Sequence, residues 1–294
     1  MELLDGKKAS QSFKENLKRK IEEALKKFHR PPHLVAILIG NDGASETYVA
    51  SKIKNCEEVG LKSSLIRFDN SVSEADLKSC INSLNNDKDV DGLIVQMPLP
   101  KHINEDEIIN FINPDKDVDG FHPVNAGKIM LGQDGFVSAT PLGILNLLEY
   151  YKIETSGKNV VVIGRSNIVG RPISILLSLN KYPGNCTVTV THSRTKNISE
   201  ICYQADIIIA AIGVPGFVKA EMVKEGAIVI DVGITRIADS SKKSGISIKG
   251  DVDFENVAPK CSYISPVPGG VGLMTISALL MNTFKAYQKL NSGT

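Results

Sequence analysis

The sequence predicts an α/β protein of two domains, each a parallel sheet covered by helices, the second of them doubly wound. Three observations predict it. Short, continuous apolar runs such as "HLVAILIG", "GLIVQMP", "VVVIG", "DIIIAAIG" and "AIVIDVG" are the pattern of strands buried on both faces. Amphipathic stretches of helical spacing separate them. The alternation also stops at a Gly-, Pro- and Asp-rich connection, "NPDKDVDGFHPVNAG", and then restarts, while 294 residues at 42% hydrophobic composition are enough for two cores.

In chain order, a charged amphipathic run over Lys7–Phe28 reads as a helix, followed by the strand "HLVAILIG", a helix from Ala44, the strand "SSLIRF", a helix from Ser73 and the strand "GLIVQMP". After the connection, "TPLGILNLLEYY" reads as one bridging helix, with Pro141 suited to its first turn. From Asn159 the order is "VVVIG", a helix after Val169, "TVTVTH", a helix through "ISEICYQA", "DIIIAAIG", a short helix and "AIVIDVG". Asp239–Gly250 is polar and reads as a surface hairpin or loop. The glycines and prolines of "SPVPGGVG" form a loop that feeds a long terminal helix with helical apolar spacing beyond Met274. That helix is expected to return to the first domain, leaving a cleft between the two.

Lys and Arg total 34 against 33 Asp and Glu, so no broad basic field exists for nucleic acid. The N-terminal "MELLDGKKAS" has no apolar run of a signal peptide, and no stretch has the length of a membrane span, so a cytoplasmic protein without membrane association is expected. Cys56, Cys80, Cys186, Cys202 and Cys261 are scattered, without a C-x-x-C pair or a nearby His; reduced, mostly buried thiols are expected, with neither disulfides nor zinc.

The stretch "VVIGRSNIVGRP" runs from a strand through a glycine turn into a helix start. A strand ending at Gly164 before helical backbone N–H groups can hold a pyrophosphate, with Ser166 adding a hydroxyl. A plain βα turn, its glycines serving only close packing, reads equally well. At the end of the next strand, where an NAD enzyme places a carboxylate for the ribose, "VTVTHSRTKN" offers His192, Ser193 and Arg194. With Arg165 nearby, that choice favours a 2′-phosphate, hence NADP.

Tyr48 and Lys52 of "ETYVASKIKNCEE" lie four apart on one helical face. Lining a cleft, a partly buried Lys52 would have a lowered pKa and could serve as general acid or base; on an exposed helix it would merely snorkel. Gln96 ends the strand of "GLIVQMPLP", at the edge where α/β proteins place ligand groups, or else caps a turn. "DVDG" puts Asp117 and Asp119 in a loop without further ligands at metal spacing; a carboxylate there could bind the adjacent N–H donors of a guanidine-like heterocycle. "PVPGGVG" is either a turn or a loop whose backbone must approach a ligand closely.

Taken in order, "YVASK", "VQMPLP", "DKDVDGFHPVNAG", "TPLGI", "VVIGRSNIVGRP", "DVG", "GDVDF" and "PVPGGVGLMT" resemble the bifunctional methylenetetrahydrofolate dehydrogenase/cyclohydrolases over nearly the whole chain. The resemblance implies a Rossmann-type NADP-binding domain (142–271), a folate and catalytic domain (1–141 plus 272–294), a homodimer paired through the cofactor domains, and tetrahydrofolate one-carbon derivatives as substrates. Gly164, Arg165, Ser166, Ser193, Arg194 and Ile234 would bind NADP. Lys52 would be the acid/base of hydrolysis with Gln96 setting its protonation, Tyr48 would stack on the folate, and Asp119 would hold the pterin edge. Thr140 and the loop of Pro268, Gly269 and Gly270 would meet folate and nicotinamide. The chain departs from the family pattern at Ser138, Ala139 and Leu142, at Leu273 in place of a Pro, and in the segment "NKYPGNCT" near His192–Arg194. A shikimate-type NADP dehydrogenase and a catalytically silent folate-binding protein are the alternatives.

Overall fold

The computed structural model describes residues 1–241 and 245–291. The chain divides into two compact units, Ser12–Ala139 with Ile276 onward, and Met1–Gln11 with Thr140–Thr275. It opens with the two-residue strand β1 (Glu2–Leu3) and the helix α1 (Gly6–Phe28).

In the first of these units, β2 (His33–Ile39), α2 (Gly43–Val59), β3 (Lys62–Phe68), α3 (Glu74–Asn86) and β4 (Gly92–Val95) form a parallel sheet of order β3-β2-β4 with its connecting helices. All seven residues of the central β2 are buried, which is why it reads as an uninterrupted apolar run. One face packs Val35, Ile37 and Val95 against Leu77 and Ile81 of α3 and Ile108 of α4 (Glu105–Phe111). Short polar side chains start the helices: Asp42 accepts from the Ser45 N–H, Ser73 from Asp76 and Asn104 from Asp106 and Glu107. Gly60, with φ of 86°, closes α2. Arg30 grips the fully buried Asp91 bidentately, at 2.7 and 2.8 Å, and Asp91 also accepts from the His33 N–H. A further helix, α5 (Pro123–Met130), follows the "DVDG" loop.

The second unit carries α6 (Ala139–Tyr150), β5 (Asn159–Ile163), α7 (Gly170–Ser178), β6 (Thr187–Thr191), α8 (Ile198–Tyr203), β7 (Ile207–Ala210) and β8 (Ala227–Asp231). After these come an antiparallel hairpin of β9 (Thr235–Ala238) and β10 (Ile246–Lys249), the short α9 (Phe254–Val257), and β11 (Cys261–Ile264). The six-stranded sheet has the order β1-β11-β8-β7-β5-β6 and is parallel throughout. The chain leaves β5 to one side for β6 and then crosses to β7 on the other, so the carboxyl end of β5 is a topological switch point.

Two features differ from the sequence-based expectation. Residues 1–11 belong with the 140–275 unit instead of the domain of 1–141, because β1 adds to the sheet edge beside β11 and the Leu4 and Gly6 N–H groups donate to Ile264 and Gly269. The terminal helix, α10 (Val271–Asn291), begins before Met274 and includes Gly272, whose place in the first turn costs little helix stability. Its residues from Ile276 onward belong with Ser12–Ala139, where the Tyr287 hydroxyl donates to the Arg30 carbonyl. All five cysteines are free, with Cys56, Cys202 and Cys261 buried. Among the described residues, no helix is long and apolar enough to cross a membrane.

Candidate active site

In the Ser12–Ala139 unit, α2 presents Tyr48 and Lys52 on one face and β4 delivers Gln96 at its carboxyl end. The Lys52 side chain is buried, 4% exposed; Nζ donates to Gln96 Oε1 at 3.2 Å and lies 4.8 Å from the centroid of the Tyr48 ring. Gln96 is fixed by its own Nε2, which donates to the Met97 carbonyl, and by its backbone N–H, which donates to Ile37. Its carbonyl oxygen is thereby turned to the lysine. Burial lowers the Lys52 pKa against the pull of Asp119 and Cys56, and burial raises that of Tyr48. Burial likewise pushes the Cys56 thiol, one turn beyond Lys52, up to about 12, so it is an inert neighbour.

The "DVDG" loop divides its two carboxylates between different tasks. Asp117 is buried and accepts from the N–H groups of Gly120, Phe121 and His122 and from Asn125 Nδ2, at 2.8–3.3 Å, so it folds the loop. Gly120 is required in that turn: its φ is 72°, and a Cβ would come within 2.6 Å of the Ser138 nitrogen. Asp119 is left over. Among the described residues, no hydrogen bond reaches its carboxylate, whose pKa burial raises despite the attraction of Lys52. A small cavity lined by Val95, Met97, Ile109, Ile112 and Phe121 lies alongside it. An ionisable amine in a dry setting and an acceptor with open lone pairs suit proton transfer and recognition of a planar N–H edge, respectively.

In the Thr140–Thr275 unit, Gly164 stands at the switch point with φ of 118°, and a Cβ there would overlap the Ala211 carbonyl oxygen. A Cβ at Gly170 would overlap the Gly164 carbonyl. These two glycines therefore let the strand and α7 close on each other, while Arg165 and Ser166 remain exposed between them. Ser166 Oγ accepts from the N–H groups of Val169 and Gly170 at 3.2 and 3.3 Å, which leaves its own hydroxyl proton to donate. On the adjoining strand, His192 and Thr195 form a turn through their backbone and side chains, and Ser193 and Arg194 project into solvent. Ile234 is 58% exposed and lines one cavity together with Gly233, Pro268, Gly269 and Gly270. The Thr140 hydroxyl lies 3.2 Å from that of Thr275.

Apart from Thr140, the proposed site residues thus fall into three groups: Tyr48, Lys52, Gln96 and Asp119; Gly164–Ser166 with Ser193 and Arg194; and Ile234 with Pro268–Gly270. Residues 4–119 match the catalytic domain, and residues 138–291 the NAD(P)-binding domain, of tetrahydrofolate dehydrogenase/cyclohydrolase. The chain belongs to this family. It is similar to the bifunctional protein FolD of Porphyromonas gingivalis, 57% identical over 98% of this chain and 97% of that one. The FolD of Bacteroides thetaiotaomicron is also 57% identical, over 98% and 99%. Among solved structures, the bifunctional methylenetetrahydrofolate dehydrogenase/cyclohydrolase FolD of Campylobacter jejuni is 49% identical, with a TM-score of 0.91 over 98% of this chain and 99% of that one. The Trypanosoma brucei FolD, complexed with NADP and an inhibitor, is 35% identical, with a TM-score of 0.92 over 97% and 96%.

Within the family motifs, sequence reasoning gave Asp119 a task by resemblance but missed that of Asp117, which folds the loop. It also passed over Asp231 and Asp251 of "DVG" and "GDVDF", both buried and both bonded to loop backbone beside the cofactor groups. The signal was there: each Asp lies within two residues of a glycine, and a Cβ at Gly250 or Gly233 would overlap the other element's carboxylate.

Proposed function

We infer that this chain is an NADP-dependent methylenetetrahydrofolate dehydrogenase and methenyltetrahydrofolate cyclohydrolase, oxidising 5,10-methylene- to 5,10-methenyltetrahydrofolate and hydrolysing the latter to 10-formyltetrahydrofolate. The observation that carries this reading is the buried Lys52, hydrogen-bonded to Gln96 and stacked near Tyr48, with the unpartnered carboxylate of Asp119 in the same unit.

The residues present fit NADP. Gly164 and Gly170 leave no Cβ to obstruct the α7 N-terminus, where backbone N–H groups and the Ser166 hydroxyl suit a pyrophosphate. Arg165, Ser193 and Arg194 are exposed at the strand ends, where "THSRTKN" contains no carboxylate to repel a 2′-phosphate. NADP, when bound, supplies the acceptor for the hydride that leaves the methylene carbon.

Asp119 accepts from the aminopyrimidinone edge of the pterin and Tyr48 packs on the folate. The neutral Lys52 amine takes a proton from water as the water oxygen bonds to the methenyl carbon. The ammonium so formed returns that proton to N5 as the carbon–N5 bond breaks, and the carbinol hydroxyl releases its remaining proton to solvent as it becomes the formyl carbonyl on N10. The Gln96 oxygen accepts from Lys52 and holds it in place through both protonation states. Thr140 and Pro268–Gly270 contact the ligands near the reacting carbon. The enzyme works in the cytoplasm as a homodimer paired through its cofactor units; light scattering on the purified protein tests the dimer.

The direct test is reduced-nicotinamide formation from 5,10-methylenetetrahydrofolate with NADP and NAD side by side. Turnover favouring NADP is expected. Turnover favouring NAD would overturn the phosphate argument alone, and turnover with neither would overturn the dehydrogenase.

A further inference from the structure

Five backbone N–H groups at the carboxyl edge of the six-stranded sheet point at two side chains that the reaction scheme above does not use. Asp231, 3% exposed at the end of β8, accepts from Gly233 (2.9 Å) and Asp251 (2.8 Å) through Oδ1 and from Val252 (3.0 Å) through Oδ2. Asp251, fully buried, accepts from Ile212 (2.7 Å) and Gly213 (3.0 Å) just after β7, all through Oδ2. Asp251 Oδ1 has no partner among the described residues and is the buried side-chain polar atom left unpaired there. Two acidic groups packed this closely, one with an idle oxygen, are costly to bury, and what offsets that cost is the five backbone N–H groups they accept, which apolar side chains could not pair.

What the pair accomplishes is local. The segment held by Asp251 abuts the phosphate loop: a Cβ on Gly164 would overlap the Ala211 carbonyl and come within 3.3 Å of Ile212 Cγ2. The segment held by Asp231 carries Gly233 and Ile234, which line the cavity shared with Pro268–Gly270. Asp251 also packs so close to Gly233 that no side chain fits between, so the two anchored segments are tied to each other. A charged acceptor binds an N–H more strongly than a neutral one, and a single carboxylate oxygen serving two consecutive N–H groups fixes the orientation of both peptide planes.

We propose that Asp231 and Asp251 are positioning residues for the dehydrogenase, fixing the Ile212–Gly213 and Gly233–Ile234 backbone so that the sheet edge is preorganised for the nicotinamide half of NADP. The proposal rests on NADP binding at this edge, whereas Lys52, Gln96, Tyr48 and Asp119 lie in the other unit. Cyclohydrolase activity is therefore an internal control for folding.

The test is steady-state kinetics of both activities in Asp251→Ala and Asp251→Asn. In Asp251→Ala, with both anchors lost, the KM for NADP should rise at least about tenfold while the cyclohydrolase rate stays within about twofold of the parent. In Asp251→Asn one acceptor oxygen remains for the two N–H groups without the charge, so the KM for NADP should rise about threefold. Should the alanine variant fail to fold, the asparagine variant carries the test. An unchanged KM for NADP in the variant that folds, or a parallel fall of both activities, would overturn the positioning role. Absence of NADP turnover in the parent enzyme would instead overturn the assigned function.

Discussion

Replacing Lys52 by Met separates the two activities, and the structure sets the size of the effect. Lys52 is 4% exposed, and among the described residues its Nζ has one hydrogen-bond acceptor, Gln96 Oε1 at 3.2 Å. Methionine is unbranched and similar in length, so it fills the same channel along α2 while removing a charge whose burial is unfavourable. The fold should survive, at the cost of leaving a Gln96 oxygen without its donor, about 1–3 kcal/mol at most. A positioned acid/base contributes roughly 10²- to 10⁴-fold, so the hydrolysis of 5,10-methenyltetrahydrofolate, followed by loss of its absorbance and corrected for the spontaneous rate, should fall by about that factor. Hydride loss from the methylene carbon releases no proton, so NADPH formation by the same variant should persist within a few-fold. The pH profile of the parent enzyme adds a second readout. Burial lowers the Lys52 pKa, and the free amine is the form that accepts the proton of water; hydrolysis should therefore climb with pH through an inflection below that of an ordinary lysine and then level off. Hydrolysis by Lys52→Met above about one tenth of the parent rate, or an equal loss of both activities, would refute the acid/base role.

Three other outcomes follow from the same geometry. Asp119→Ala removes a carboxylate that no described residue hydrogen-bonds, so folate affinity should fall about 10- to 150-fold, the equivalent of 1.5–3 kcal/mol for a charged hydrogen bond, without loss of thermal stability; tetrahydrofolate titration measures it. Arg194→Ala should raise the KM for NADP about tenfold and leave that for NAD unchanged, since Arg194 is exposed at the end of β6 where only the 2′-phosphate differs. Burial raises the Asp231 pKa to about 6, above its unfolded value, so the native state holds the extra proton between about pH 4 and 6. The stabilisation tied to that proton is complete below about pH 4 and lost as pH rises through 6, so the stability of the parent relative to Asp231→Asn should fall by about 1–3 kcal/mol between pH 4 and 7, as read from urea denaturation at each pH.

The α/β architecture was legible because parallel strands leave an unusually clear trace. β2, β4, β5, β7 and β8 are buried almost throughout, so each shows as a block of Val, Ile, Leu and Ala without polar alternation. The edge of the second sheet left no such trace. β1 is only two residues long, with both exposed, and nothing in "MELLDG" distinguishes a strand from a tail; its partner β11 lies more than 250 residues away. Only the pairing, and Gly6 pressed against Gly269 and Gly270, reveal that the N-terminal residues support the "PVPGG" loop. Periodicity reports which face of an element is buried and is silent on which distant edge a short segment completes.

The candidate site divides along the same line. Lys52 was readable as a possible acid or base because Tyr48 lies one helical turn before it, a local relation; its burial and its bond to Gln96 are long-range, and they turn an amphipathic lysine into a tuned one. Asp117 and Asp119 look equivalent in "DVDG", yet three backbone N–H groups and an amide bind the first and, among the described residues, none reaches the second. The carboxylate that organises a loop and the carboxylate that is left to a ligand differ only in which donors the folded chain has already assigned to them. That rule also sorts Asp231 and Asp251: both oxygens of Asp231 and one of Asp251 are taken by backbone N–H groups, and the remaining Asp251 oxygen is buried against Gly233, so their influence on NADP must pass through the peptide planes they hold, whereas Asp119, with its lone pairs open, is the acidic side chain of the "DVDG" loop that can meet the substrate itself.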